Sequence, residues 1–442
     1  MVGKISGLVT REAETKLLQW LKQDYLVALL GARQTGKTTL LHKIAASQES
    51  YYYSFDDLLF KNKVADDFYF LQNDLENRLG TTLEKLNRPI LVLLDEAQKE
   101  PTVFDLLKIW QDRFASKMKI IISGSASLEI QKKTSESLAG RAQYVYLHPF
   151  SLGEILRFSF GFKDESLFLL LGEKEITFDF FRQRQALLYP KQPELKLILE
   201  QILLYGLLPG VWSRKSEERL AYLRSIVTLY LEKDIRLAGL VRELDNFQNF
   251  LEVLAYQVGG LLNLTHCSNQ IQVSTNTLRA YRTILKETFV LNLLPPFVFT
   301  PQKRVVKNTK AYFYDVGVAN FLAKRERLEN VFDSRAGGGI FENILVKSYE
   351  AFGQNQTLAP RLFFWRDYHQ AEIDLIIQKG DQIVPVEITG AAQIERRKIH
   401  QLGRFLEVQK KASYSLIIYN GEVKELKTKP KPIYALPWWL WW

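Results

Sequence analysis

The chain has 442 residues, 47% hydrophobic and 24% charged, which excludes a single small module, a mostly disordered chain, a collagen and a coiled-coil rod, and allows about two to four domains. Lys and Arg outnumber Asp and Glu by 59 to 49, a formal charge of +10 that favours polyanionic partners, nucleic acid first. Cys267 is the one cysteine, which rules out an intrachain disulfide and a Cys-based zinc cluster and fits a reducing cytoplasm. In chain order, the opening MVGKISGLVTREAETK lacks the apolar core of a leader peptide. No stretch approaches the ~20 apolar residues of a membrane helix, so no integral membrane segment is expected.

From residue 1 to about 150, apolar runs YLVALLG, YYYSFDD, PILVLLDE, MKIIISGS and AQYVYLH alternate with helix-like stretches. Short apolar strands separated by helices predict a parallel sheet covered on both faces. Residues 151–242 repeat apolar positions at helical spacing, as in LKLILEQILLYGLL and ERLAYLRSIVTLYLEKDI, and predict a helical region. Between 243 and 320 three helical segments, the last opened by Ser274 as N-cap, precede two apolar segments that flank the basic QKRVVKNTK. Three helices and a β-hairpin are the order of a winged helix-turn-helix. From 321 to 442 the pattern is helix, three strands, helix and strand, a second α/β unit. It ends in ALPWWLWW, with four of the eight Trp in the last five residues. Such a tail should seek burial, a membrane surface or a protein partner.

Gly31-Ala-Arg-Gln-Thr-Gly36-Lys37-Thr38 matches G-x-x-x-x-G-K-[ST] between an apolar strand and a helix-compatible TTLLHKIAA. This context predicts a phosphate cradle. Backbone N–H groups of Gly31, Gln34, Thr35 and Gly36, together with Lys37, Thr38 and Thr39 at the helix N-terminus, would hold phosphate oxygens. Lys37 would reach the β- and γ-phosphates and Thr38 would ligate Mg²⁺. The buried strand ILVLLDE ends in Asp95, placed for the Mg²⁺ shell, and Glu96, placed to polarise a water. In KIIISGSAS a strand lying between the P-loop and acidic strands would bring a hydroxyl to the γ-phosphate, Ser125 first and Ser123 second. Arg141, after Gly140, is a candidate for reaching a neighbouring subunit's nucleotide, which would require self-association.

These segments resemble bacterial and archaeal AAA+ family P-loop ATPases that carry a carboxy-terminal domain of unknown function. The resemblance rests on Arg11, LLGARQTGKTTLL, YYYSFDD, ILVLLDEAQK, IIISGSAS, SLAGR with YLHPFSLGEIL, YGLLPGV, LYLEKDI, LPPF, AYFYDVGVANFL and FENILV, and so covers nearly the whole chain. It implies an AAA+-type ATPase core that uses ATP and Mg²⁺, with Ser125 as sensor and Arg141 as finger, fused to a winged helix and a nuclease-like end. Asp56 and Asp57 match an acidic position of the family, with a helix-capping role as the alternative.

A recognition helix opened by Ser274 would present Thr275, Asn276, Arg279 and Arg282 to DNA, and the wing would add Lys303, Arg304, Lys307 and Lys310. The end of the chain resembles the PD-(D/E)XK nuclease superfamily, with Glu342, Asp374 and Glu387 as the carboxylates that would share a divalent cation. That pattern places lysine two residues after Glu387. Here the position is Thr389, which argues against cleavage, although Lys398 could bring a charge from the next helix. Glu372 and Asp367 are expected to face solvent. The reading is an ATP-hydrolysing AAA+ protein coupled to DNA. Its rivals are a binding-only switch, an ATP-gated nuclease and a protein-assembly device.

Overall fold

The five apolar runs of the N-terminal third form one all-parallel sheet in the order β2-β3-β4-β1-β5. Its strands are β1 (Leu26–Leu30), β2 (Ser50–Ser54), β3 (Ile90–Asp95), β4 (Met118–Gly124) and β5 (Ala142–Tyr146). Every residue of β1 and β3 is buried, as a parallel sheet with both faces covered requires. The helices are α1 (Glu12–Leu21), α2 (Lys37–Ser47), α3 (Leu58–Asp66), α4 (Phe70–Leu79) and α5 (Val103–Phe114). As predicted, β4 lies between the P-loop strand β1 and the acidic strand β3, so the C-terminal ends of all three open on one edge, where α/β sheets bind ligands. Asp57 caps α3 by accepting from the N–H groups of Leu59 and Phe60.

The computed structural model describes residues 7–124, 130, 133–134, 136–162, 166–171, 176–236, 239–298, 308–329, 337–368, 370–426 and 431–442. They form two compact units, Thr10–His148 with Glu287–Phe289, and the rest. Among the described residues no helix is long and apolar enough to cross a membrane.

In the second unit, α6 (Leu152–Phe160), α7 (Phe178–Leu188), α8 (Gln192–Tyr205) and α9 (Ser216–Leu229) make the helical region. They are followed by α10 (Leu244–Tyr256), α11 (Leu264–Ile271) and α12 (Thr275–Glu287), then by an antiparallel pair, β6 (Leu291–Leu294) and β7 (Lys310–Phe313). After α13 (Val316–Leu322) and α14 (Gly337–Gln354) comes a six-stranded sheet in the order β12-β13-β11-β10-β9-β8. It comprises β8 (Arg361–Arg366), β9 (Glu372–Lys379), β10 (Gln382–Ile388), β11 (Ser415–Tyr419), β12 (Lys424–Leu426) and β13 (Ile433–Pro437), with α15 (Arg396–Val408) between β10 and β11. One continuous apolar core runs from Phe150 through the helices and the hairpin to Trp442, so 151–242, 243–320 and 321–442 share a single packed interior.

Two sequence segments far apart in the chain, YGLLPGV and YFYDVGVAN, meet in that core. Asp315 caps α13, its carboxylate accepting from Gly317 N at 2.9 Å and Val318 N at 3.3 Å, and its other oxygen accepts from Leu207 N at 2.6 Å. Asn320 donates to the carbonyls of Leu203 and Leu204 at the end of α8, at 2.7 and 3.1 Å. Burial, partly offset by the backbone N–H groups of Leu207, Val318 and Gly317, pushes Asp315 up from 3.8 to about 6. The folded state therefore holds this proton more tightly than the unfolded chain. The group's stabilising contribution is full below pH 3.8, declines as pH rises to about 6 and is level above. Asp315→Ala removes a cap and strands buried N–H groups, so it is expected to cost about 2–4 kcal/mol at pH 7. It should also flatten the pH dependence of stability between pH 4 and 6, as read by urea unfolding.

The Trp-rich end is core. Trp438, Trp439, Trp441 and Trp442 are all at most 3% exposed. Trp441 donates to Leu345 O at 3.0 Å and packs edge-on to Phe168, while the Arg184 guanidinium lies over the Trp442 ring. Burial is the outcome among the three expected for this tail, and the exposed surface that a docking partner needs is absent from these residues.

Candidate functional site

The phosphate cradle is shaped by two glycines. Gly36 has φ +93°, a backbone that side chains rarely adopt, and a Cβ on Gly31 would lie 2.2 Å from Leu147 O. Thr35 is fully buried and its hydroxyl donates to Ala32 O at 2.9 Å, which closes the turn from inside. Lys37 opens α2 and folds back over the loop, donating to Gly31 O and Ala32 O, both at 2.9 Å. Thr38 and Thr39 are exposed on the first turn of α2, and Gln34 is exposed at the loop's crest. Arg11, quoted above only as part of the resemblance, holds the cradle from behind. It donates to Thr35 O at 2.7 Å and to His148 O at 2.6 Å, linking the loop to the chain just after β5.

Asp95, 2% exposed at the end of β3, is the hub of the site. Its carboxylate accepts from the Thr38 hydroxyl at 2.7 Å, from the Tyr52 hydroxyl at 2.9 Å and from the Ser123 hydroxyl. Three elements, α2, β2 and β4, thus converge on an acid of a fourth, β3. Burial, followed by the adjacent Asp95 charge, pushes the Tyr52 hydroxyl well up, so it remains a donor. Glu96 follows in a left-handed conformation, φ +55° and ψ +40°, which is uncommon for a residue with a side chain. Gln98 donates to the Glu96 carboxylate at 2.6 Å.

Ser125 lies outside the described residues, and Ser123 is the hydroxyl seen at the site. Tyr52 and Gln98 were not singled out from the sequence. The alternating side chains of β2, in register with β3, were the available signal for Tyr52, since Ser54 pairs with Asp95 and Tyr52 with Leu93. Arg141 is half-exposed, bound to Asp112 of α5, with its carbonyl accepting from Leu26 N at the start of β1. It sits at the sheet end away from its own P-loop.

On α12, Leu278, Tyr281 and Leu285 are buried, whereas Asn276 and Arg279 are exposed and hydrogen-bonded to each other. Thr275 and Arg282 are half-buried on the flanks. Lys303, Arg304 and Lys307 lie outside the described residues. Lys310 departs from expectation. It is 2% exposed and ion-paired to Glu372 at 2.7 Å, Glu342 at 2.8 Å and Asp374 at 3.1 Å, so it contacts no solvent-borne partner. An inward-facing position on a fully buried strand, surrounded by acids, decided this.

Glu342, Asp374 and Glu387 do come together, from α14, β9 and β10. Lys398 of α15 donates to Glu387 and lies 3.6 Å from Asp374, while Tyr312 donates to Glu342. Glu372 turns toward Lys310 and Arg366 rather than into solvent. Burial and the neighbouring Asp374 charge raise Glu342 to about 7 and Glu387 well above its ordinary range. Burial also opposes ionisation of Asp374, but Lys310 and Lys398 outweigh it and hold that carboxyl low. The expected shared divalent cation is not what these residues fit. Among the described residues, no group of three or more His, Cys, Asp or Glu is arranged to hold a metal, because ammonium groups stand between the acids.

Three family models match the chain: an AAA domain over residues 23–156, a domain of unknown function (DUF8612) over 196–329 and another (DUF4143) over 337–441. An uncharacterized protein of Mycobacterium tuberculosis is 24% identical over 416 residues, covering 93% of this chain and 80% of that protein. An uncharacterized protein of Haemophilus influenzae is 20% identical over 439 residues, covering 95% of each. Among solved structures, a Walker-type ATPase of Pyrococcus abyssi aligns with a TM-score of 0.46 at 17% identity, covering 72% of this chain and 97% of that one. Residues 23–156 match an AAA domain and carry a P-loop nucleotide-binding fold, and the two stretches that follow match families with no assigned function.

Proposed function

We propose that this chain binds ATP with Mg²⁺ at the P-loop, hydrolyses it, and uses the nucleotide state to control its grip on DNA. The convergence of Lys37, Thr38, Asp95 and Ser123 on one sheet edge carries the first two parts. Thr38 Oγ1 and Asp95 Oδ2, 2.7 Å apart, are hard oxygen donors of the kind Mg²⁺ takes. When bound, ATP and Mg²⁺ supply the transferable phosphoryl group and the cation that balances its charge. Lys37 exchanges its bonds to Gly31 O and Ala32 O for phosphate oxygens. Glu96 holds a water and takes its proton, and Gln98 sets the direction of that carboxylate before nucleotide arrives. Ser123 and Tyr52, both donating to Asp95, hold its carboxylate in orientation.

Self-association brings a neighbour's Arg141 to the nucleotide, released from Asp112, which makes turnover depend on assembly. DNA is the partner favoured by the +10 charge and by the exposed Asn276 and Arg279 on a helix followed by a hairpin, the element order of a winged helix. Steady-state phosphate release with and without single- and double-stranded DNA, at low and moderate salt, tests the coupling. Stimulation by DNA that is lost in Arg279→Ala, together with a loss of about 10-fold or more in turnover for Arg141→Ala, is expected. Hydrolysis indifferent to DNA and to Arg141 would replace this reading with a nucleotide switch that docks a protein.

A further inference from the structure

Four carboxylates meet under the hairpin: Glu342 from α14, Glu372 and Asp374 two residues apart on one face of β9, and Glu387 from β10. Burying so many carboxyl groups together demands compensation. Three of the acids surround one atom, Lys310 Nζ, at 2.7 to 3.1 Å. These are lengths of charge-assisted hydrogen bonds and longer than the coordination distances of small divalent cations. A second observation concerns Glu387. Glu387 is 1% exposed, Lys398 takes one of its oxygens, and Oε1 is left with no hydrogen-bond partner among the described residues.

We propose that Lys310 is the resident counter-ion of this cluster, its ammonium standing where a divalent cation would otherwise bind, so that the terminal sheet domain is a metal-free, non-cleaving module. The lysine is a fixture rather than a plug. Its backbone pairs with Leu294 of β6 on one side and bridges to Leu261 on the other, so withdrawing it would dismantle the strand. Lys398 completes the arrangement by covering Asp374 and Glu387 from α15. The same contacts tie the hairpin to the sheet, which gives the acids a structural use without catalysis. This inference does not depend on the ATPase reading.

Mn²⁺ is the probe, titrated without nucleotide into the full chain and followed by the electron paramagnetic resonance of the free ion. Wild-type protein should hold no Mn²⁺ that Asp374→Asn removes. Lys310→Met should gain about one Mn²⁺ per chain, lose it again in Lys310→Met/Asp374→Asn, and show a Tm raised by Mn²⁺ where the wild-type Tm is unmoved. If Lys310→Met does not fold in metal-free buffer, Lys310→Met/Glu372→Gln relieves one like charge and reads the same gain. Wild-type Mn²⁺ binding that is lost in Asp374→Asn, or no gain in a folded lysine variant, overturns the proposal.

Discussion

Glu96→Gln is expected to leave ATP affinity within a few-fold of wild type and to lower turnover by about 10²–10⁴-fold, the range of a positioned general base. The amide keeps the size of the side chain but has lost the group that accepts a proton from water. Lys37→Ala should act one step earlier. Its ammonium already lies over the loop, held by Gly31 O and Ala32 O, and its removal deprives the cradle of its buried charge. About 100-fold weaker nucleotide binding is expected, the equivalent of two charge-assisted hydrogen bonds at their lower range. Titration with a fluorescent ATP analogue separates the two variants, and phosphate release measures turnover. Wild-type turnover by Glu96→Gln would sink the assignment of the base, leaving the P-loop reading intact.

Trp441→Ala should destabilise the second unit by about 3–5 kcal/mol, the range for a large aromatic removed from a packed interior. The side chain has no exposed area, its indole N–H bonds to Leu345 O, and its ring meets Phe168 and Tyr349. Deleting it leaves a cavity against α14, the helix that also carries Glu342, and removes the indole hydrogen bond. Urea unfolding monitored by circular dichroism gives the value. A loss under about 0.5 kcal/mol would be the behaviour of a surface residue and would contradict the packing described.

The P-loop unit was legible in the sequence because its signals are local. Strand β1, the loop 31–36 and the start of α2 are adjacent in the chain, and an apolar run ending in Asp95 and Glu96 needs only its own pattern to be read. The place of β4 between β1 and β3, assumed from the sequence, is the one the sheet adopts. Tyr52, Gln98 and the working role of Arg11 escaped, since each acts through a residue that becomes its neighbour only across the sheet or behind the loop.

Periodicity was enough to define the two helices and four of the six strands of the terminal sheet, missing β12 and β13, and the family resemblance supplied three of its four clustered acids, Glu372 having been expected in solvent. Whether those acids face a cation or an ammonium could not be read from spacing, because Lys310 is 32 residues from Glu342 and 64 from Asp374 along the chain. A basic residue beside a charged turn is by default a solvated one. The pairing of β7 on both sides turned Lys310 inward, and the same tertiary packing buried a tryptophan tail whose composition fitted an interface as well as a core. Local pattern determines which element forms. The choice of what each side chain faces belongs to long-range contacts, since the charge and apolar surface it must satisfy are supplied by other parts of the fold.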